Sequence, residues 1–323
     1  MQRKTKTPII AIEEHYWDPD ISKHFSAAEG SKAPGIQPRL HDFGDGEYRL
    51  REMDEAGIDF QVLSHGAPST QKFDPETAVA LARAANDKLA RAVRAHPDRF
   101  AAFAALPTPD PKRAADELAR CVKELGFKGA MIHGLTNQVF HDDKRFWPIY
   151  ARAQELDVPI YLHPGYPHPA VVEAYFKDYI QEFPMLARPA WGYTMETATI
   201  AIRMVLSGVF DEYPKLRMVL GHMGESIPFS LWRIDQSLAR QNQMKRRFRE
   251  IFCEHFWITT SGNFSTPALI CSMLEMGVDR ILFSVDWPFV PNEPGVEWIE
   301  SAPISEEDRV KLMNGNAKKL LKL

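Results

Sequence analysis

Eight short apolar segments recur along the chain: Ile9–His15, Phe60–His65, Phe100–Leu106, Gly129–His133, Pro159–His163, Leu216–His222, Trp257–Gly262 and Arg280–Asp286. Each is a brief apolar run closed by polar or turn-forming residues, the pattern of a buried strand. Between them, Pro75–His96, Pro111–Leu125, Phe146–Leu156, Thr194–Asp211, Ile227–Arg240 and Thr266–Met276 carry apolar residues at three- and four-residue spacing, the pattern of a helix with one buried face. Asp74 before Pro75 and Asp110 before Pro111 are N-cap signals followed by a first-turn proline. Gly126 and Gly277 sit where helices should stop. Strand–helix alternation implies right-handed crossovers and a parallel sheet. Eight rounds of it favour a closed α/β (β/α)8 TIM barrel, and no dinucleotide-type glycine fingerprint supports an open sheet. The expected organisation is one domain over 1–323, since no composition shift or internal repeat marks a second. Two stretches break the rhythm after strands one and five: Ser26–Gly46, rich in Gly, Pro and Ala, and Pro164–Pro189, with five prolines. Insertions at carboxyl strand ends are where barrel enzymes cover their substrates.

Composition narrows the function. With 323 residues, 45% of them hydrophobic, the chain can bury a large core. A net charge of -4 and a pI near 6.3 give no footprint for nucleic acid. No apolar run approaches the roughly 20 residues that cross a bilayer, and Pro8–Ile12 is too short for a signal-peptide core. Cys121, Cys253 and Cys271 are few, odd in number and widely spaced, which suggests neither a disulfide framework nor a thiolate zinc site. A reducing, cytoplasmic compartment is expected.

The chemistry sits at the strand ends. The period of two puts Glu13 and His15 on the same face of the first strand. His163, His222 and Asp286 end strands five, six and eight, and carboxyl strand ends of a parallel barrel converge on one mouth. Three imidazoles and two carboxylates make a mixed nitrogen and oxygen set suited to Zn2+, Mn2+ or a similar divalent ion. Lys128 precedes strand four instead of lying in it, so no lysine bridges a second ion and a single one is expected. Glu225, three residues after His222, has two readings: a favourable charge at a helix start, or a partner that fixes the tautomer and charge of His222. His65 and His133 also end strands but lack a nearby carboxylate in sequence, and are read as supporting or structural. His24, His41, His96, His141, His168 and His255 are read as surface or loop residues. Trp17, Tyr166, Trp191, Trp287 and Phe289 lie near strand ends or in the insertions; any one alone reads as ordinary core, and as a group they fit an apolar slot for a flat ring.

These residues resemble the amidohydrolase superfamily, and within it the metal-dependent, non-oxidative aromatic acid decarboxylases. The resemblance rests on Glu13-Glu14-His15, Tyr161–Pro164, Trp191–Ala198, Gly221–Glu225, Trp232–Asp235, Ser284–Phe289 and Asn314–Leu321. Most superfamily members carry His-x-His in the first strand; Glu-x-His looks like the γ-resorcylate, 2,3-dihydroxybenzoate and salicylate decarboxylase group. The resemblance implies one divalent ion, Zn2+ or Mn2+, held by Glu13, His15, His163 and Asp286. It implies catalysis by Asp286 with His222 and Glu225, and substrate binding by Phe289, Trp191 and Arg233, the arginine ordering the acidic network from about two turns beyond Glu225. Asp286 would act as a protonated carboxylic acid over the ring, which requires a raised pKa or weak ligation. The substrate would be a small ortho-hydroxybenzoate-type acid, and the chain a homo-oligomer, dimer or tetramer. The runner-up is a metal-dependent hydrolase or hydratase acting on a lactone or unsaturated acid.

Overall fold

A computed structural model describes residues 5, 7–26, 35–241 and 243–323. Its strands run β1 (Ile10–Tyr16), β2 (Phe60–His65), β3 (Phe100–Ala102, resuming at Ala104–Ala105), β4 (Ala130–His133), β5 (Ile160–His163), β6 (Met218–Leu220), β7 (Phe256–Thr259) and β8 (Ile281–Leu282). Every pairing between neighbours is parallel and follows chain order. At Phe103 the ladder passes from one arc to the next, its N–H donating to Leu63 O, and the outer edges meet where His15 N donates to Trp287 O at 2.7 Å. The result is the expected (β/α)8 barrel.

Helices α1 (Arg49–Ala56), α2 (Pro75–Ala95), α3 (Pro111–Leu125), α4 (Trp147–Leu156), α5 (Gly192–Leu206), α6 (Ile227–Ala239), α7 (Phe248–His255), α8 (Thr266–Met276), α9 (Asn292–Ser301) and α10 (Asn316–Leu321) surround the strands. The aspartate caps act as expected: Asp74 accepts from Thr77 N and Asp110 from Arg113 N. Three departures have physical causes. The helix expected over Thr194–Asp211 breaks at Gly208, whose φ of 82° lies in the left-handed region, and resumes as Val209–Glu212. Strands six and eight are shorter than their apolar runs: after β6 the chain turns left-handed at His222 (φ 52°), and after β8 Phe283 N donates to Leu312 O and Ser284 N to Thr260 Oγ1 instead of to the ladder. Helices α1 and α7 escaped the sequence pattern because charged residues crowd their few apolar positions, although Phe248, Ile251, Phe252 and His255 share a buried face. In the first insertion, Ile36–Leu40 forms a short helix whose Leu40 O accepts from Trp17 N, and residues 27–34 lie outside the described set. The second insertion is a series of short helical turns.

Alternation along β1 sorts the core into two layers. Ile9 and Ala11 face outward into the apolar layer beneath the helices, while Ile10 and Ile12 face into the barrel with Val62, Phe103, Met131, Tyr161, Val219 and Leu282. Leu320 and Leu321 of α10 close the bottom of that inner layer. Continued alternation would send Glu14 inward and Glu13 and His15 outward. The register against β2 shifts between Ala11 and Glu14, a β-bulge that adds one residue and reverses the two faces. Ser284 Oγ holds it, accepting from Ile12 N (3.1 Å) and Glu13 N (2.6 Å) and donating to Glu14 Oε1 (2.9 Å).

Ser284→Ala strands those two buried N–H groups and is expected to lower unfolding free energy by about 2 kcal/mol in chemical denaturation. An unchanged denaturation midpoint would show that the bulge does not need the hydroxyl.

Candidate metal centre and catalytic site

Glu13 projects from the bulge into the barrel, fully buried. Its Oε2 is saturated by three hydroxyls, those of Tyr161 on β5, Thr259 on β7 (3.0 Å) and Ser261 just beyond it. Its Oε1 has no protein hydrogen-bond partner and lies 3.4 Å from His163 Nε2 and 3.8 Å from His222 Nε2. A Cβ on Gly221 would sit 2.9 Å from Oε1, so β6 approaches the carboxylate closely only because that residue is glycine. Burial raises the pKa of Glu13, and neighbouring imidazoles and the Ser261 hydroxyl pull it back.

The remaining ligand candidates are oriented from behind. His163 Nδ1 faces Pro164 O at 2.8 Å, which places its proton there and leaves Nε2 a lone pair aimed inward. His15 Nδ1 meets Ser64 Oγ at 3.2 Å, and its Nε2 lies 3.2 Å from Asp286 Oδ1 without hydrogen-bond alignment. One ligand atom from each of Glu13, His15, His163 and Asp286 falls within 4.8 Å of the others. Glu13 Oε1, His15 Nε2 and Asp286 Oδ1 are buried without hydrogen-bond partners. Orphaned lone pairs converging on one point are costly unless a cation satisfies them. The donor set therefore fits one divalent ion, as expected from the sequence.

His222 is aimed by an unusual turn. Residues 222–226 all have positive φ, four of them non-glycine, a left-handed turn that steric preference opposes. Across it His222 Nδ1 meets Glu225 Oε1 at 2.7 Å, and Glu225 Oε2 accepts from Thr194 Oγ1 at 2.8 Å. Of the two readings of Glu225, the orienting one holds. Burial disfavours charge on His222, but the Glu225 and Glu13 carboxylates overcome it and hold the imidazole well above its usual range. Asp286 follows the opposite course: burial opposes its charge, yet contacts with His15 and His222 keep its carboxyl below the usual range. His222 Nε2 lies 3.7 Å from Asp286 Oδ2.

Of the aromatic set, Phe289 stands beside His15 (ring centroids 5.7 Å) and Trp17 (6.3 Å), with Phe25 on the far side of Trp17. Trp191, 49% exposed, lies at the start of α5, and Tyr166 is half-buried in the second insertion. Trp287 is core, stacked under the Arg49 guanidinium at 4.2 Å, with Nε1 donating to Glu52. Arg233 lies apart from the acidic network. It is exposed on α6 and makes no hydrogen bond or ion pair with His222 or Glu225, because the left-handed turn breaks the helical phase between them. His141 and His255 are buried, His255 stacked on Phe210 at 4.5 Å, because each fills space beneath the helices.

Sequence reasoning missed Glu14. Its carboxylate accepts from Val285 N (2.9 Å), Trp287 N (3.0 Å) and Ser284 Oγ, gripping the backbone on both sides of Asp286. Behind it the buried Arg49 donates to His15 O (2.5 Å) and Asp42 O (2.8 Å). The available signal was the second glutamate of the pair, a charge inside an apolar strand.

Comparison with known proteins fits this geometry. Residues 14–323 match the family model described as amidohydrolase, and the chain belongs to that family. It is 42% identical to gamma-resorcylate decarboxylase of Rhizobium sp. strain MTP-10005 over 97% of this chain and 98% of that protein. Among solved structures, a dihydroxybenzoic acid decarboxylase from Polaromonas sp. JS666, with bound manganese and the inhibitor 2-nitroresorcinol, superposes with a TM-score of 0.89 at 43% identity, covering 98% of this chain and 97% of that one. A 2,6-dihydroxybenzoate decarboxylase complexed with 2,6-dihydroxybenzoate gives 0.88 at 42% identity, covering 98% and 100%.

Mn2+ at a hundred times its dissociation constant is expected to stabilise the metal-free protein by about 2.7 kcal/mol, read as a rise in melting temperature. Glu13→Ala should abolish that rise and lower the metal content; full metal stoichiometry in the variant would remove Glu13 from the ligand set.

Proposed function

We propose that this chain is a carboxy-lyase that removes CO2, without oxidation, from an ortho-hydroxybenzoate-type acid such as a dihydroxybenzoate. The observation that carries the reading is the pairing of a two-carboxylate, two-imidazole metal set with a His222–Glu225 couple 3.7 Å away. Direct loss of CO2 would leave an electron pair in the plane of the ring. Protonating the carboxylate-bearing carbon first gives a dearomatised dienone, and the C–C bond electrons restore the aromatic ring as CO2 leaves. The divalent ion, Mn2+ or Zn2+, supplies positive charge that holds the substrate's carboxylate and phenolate oxygens in place.

The chain's own residues handle the proton. His222, charged beside Glu225, is the store; Asp286 Oδ2 takes the proton from His222 Nε2 and delivers it to the ring carbon, returning to the carboxylate its surroundings favour. Tyr161, Thr259 and Ser261 hold the Glu13 carboxylate in place by one oxygen. Phe289 and Trp17 wall the ring. Run backwards, the same steps carboxylate a phenol.

The reading extends to the assembly and its location. Phe229 (85% exposed) and Trp232 (62%) stand about one turn apart on α6, and Tyr175, Tyr179, Phe183 and Met185 are exposed in the second insertion. This apolar surface supports a homo-oligomer, dimer or tetramer. Sedimentation velocity checks it, and a monomer at micromolar concentration overturns it. No helix among the described residues is long and apolar enough to cross a membrane, and the three cysteines are free thiols, which supports a cytoplasmic site.

The Mn2+-loaded protein should release CO2 from at least one of a panel of 2-hydroxy- and dihydroxybenzoates, and Asp286→Asn should abolish release while leaving the fold intact by circular dichroism. A panel that yields no CO2 ends the decarboxylase reading. Glu225→Gln removes a cause of the raised His222 pKa, so the alkaline limb of the kcat profile should move to lower pH; an unmoved limb would take the proton store away from His222.

A further inference from the structure

Four of the five histidines around the mouth have engaged ring nitrogens. His65 places Nδ1 on Gly66 O (2.7 Å) and Nε2 on Asp18 N (3.1 Å), His163 uses Pro164 O, His222 uses Glu225 and His15 meets Ser64. His133, only 3% exposed, has no protein partner on either ring nitrogen. Its place in the mouth is settled by register: His133 on β4 pairs with His163 on β5, and the two rings meet edge to face at 5.1 Å. It stands outside the ligand set.

The backbone that carries the ring is held firmly. Gln71 grips the His133 backbone at both ends, its Oε1 accepting from His133 N and its Nε2 donating to His133 O at 2.5 Å. The same Nε2 reaches Thr136 Oγ1 at 3.0 Å, which in turn meets Thr108 Oγ1 at 2.7 Å. Burial, followed by the imidazoles of His163, His15 and His65, disfavours charge on the ring; the His65 carbonyl pulls weakly the other way from outside hydrogen-bond geometry. A neutral imidazole offers one N–H donor and one lone pair. A buried donor and acceptor with no protein partner destabilise the fold unless a ligand, an ion or an ordered water completes them.

We propose that His133 recognises a second hydroxyl on the aromatic substrate, one that does not reach the metal, and so sets the protein's preference for dihydroxybenzoates over 2-hydroxybenzoate. A hydroxyl, itself donor and acceptor, can pair with either ring nitrogen, accepting from the N–H or donating to the lone pair. The four ligand side chains serve the carboxylate and its ortho oxygen, leaving a further ring substituent to the wall next to His163. A site that expects a hydroxyl discriminates against the analogue lacking it, because its polar atoms then stay unpaired. This inference rests on the decarboxylase reading.

The test is binding, measured by calorimetry on the Mn2+-loaded protein with 2-hydroxybenzoate and with 2,3-, 2,4-, 2,5- and 2,6-dihydroxybenzoate. Wild type should bind at least one dihydroxy acid roughly tenfold or more tightly than 2-hydroxybenzoate. His133→Leu should erase that preference by weakening the dihydroxy acid alone, and His133→Gln, which restores a donor and an acceptor, should retain it. The melting temperature of His133→Leu should be no lower than wild type, because it removes two unpaired polar atoms. No preference in wild type, or one that survives in His133→Leu, overturns the proposal. So does a lower melting temperature with equal weakening of all five acids, which assigns His133 to structure. Binding without CO2 release from any acid refutes the decarboxylase reading and leaves the His133 result standing on its own.

Discussion

The site depends on one irregularity in the first strand. A regular β1 would turn Glu13 and His15 toward the helices and put Glu14 in the barrel, because side chains alternate strictly along a strand. The extra residue between Ala11 and Glu14 reverses that order just where the apolar run ends. Ser284, from the strand that closes the barrel, bonds the two N–H groups the bulge would otherwise leave bare. The same hydroxyl touches Glu14, so the bulge, the seam and the loop bearing Asp286 form one hydrogen-bonded unit.

Glu13 and Glu14 then divide the work by facing opposite ways. Glu13 enters the barrel, where three hydroxyls hold one oxygen and leave the other free for a cation. Glu14 faces outward and spends both oxygens on the backbone around Asp286, whose left-handed φ needs external support. Arg49 completes this outer layer by bonding His15 O and stacking on Trp287. Neither carboxylate could be buried alone; each is compensated by a different set of donors.

The His222–Ser226 turn shows the same economy on the other side of the mouth. A helical start after β6 would carry Glu225 away from His222. The left-handed path folds it back under the ring, and Gly224 within that path packs so tightly on Ile258 that a Cβ would sit 2.8 Å from it. Strain here purchases the aim of one imidazole.

How much of this was legible follows from range. Apolar periodicity and proline or glycine punctuation are local, so Pro111–Leu125 is legible to the residue, the eight strands in their order, and Glu13, His15, His163, His222 and Asp286 as polar groups closing apolar runs. The departures are the ones local pattern cannot hold. Arg233 enters through the family resemblance, but the segment between it and Glu225 is not a right-handed helix; a guanidinium packs Trp287 away from the mouth; and the groups that act on Asp286 and His222 include side chains on other strands. By itself the sequence determined the barrel and which side chains reach its mouth, because hydrophobic period and strand termini are written in consecutive residues. Only the tertiary structure decided which glutamate faces inward, which histidine is left unpartnered and which backbone groups hold the loop bearing Asp286, because each is set by contacts between residues far apart in the chain.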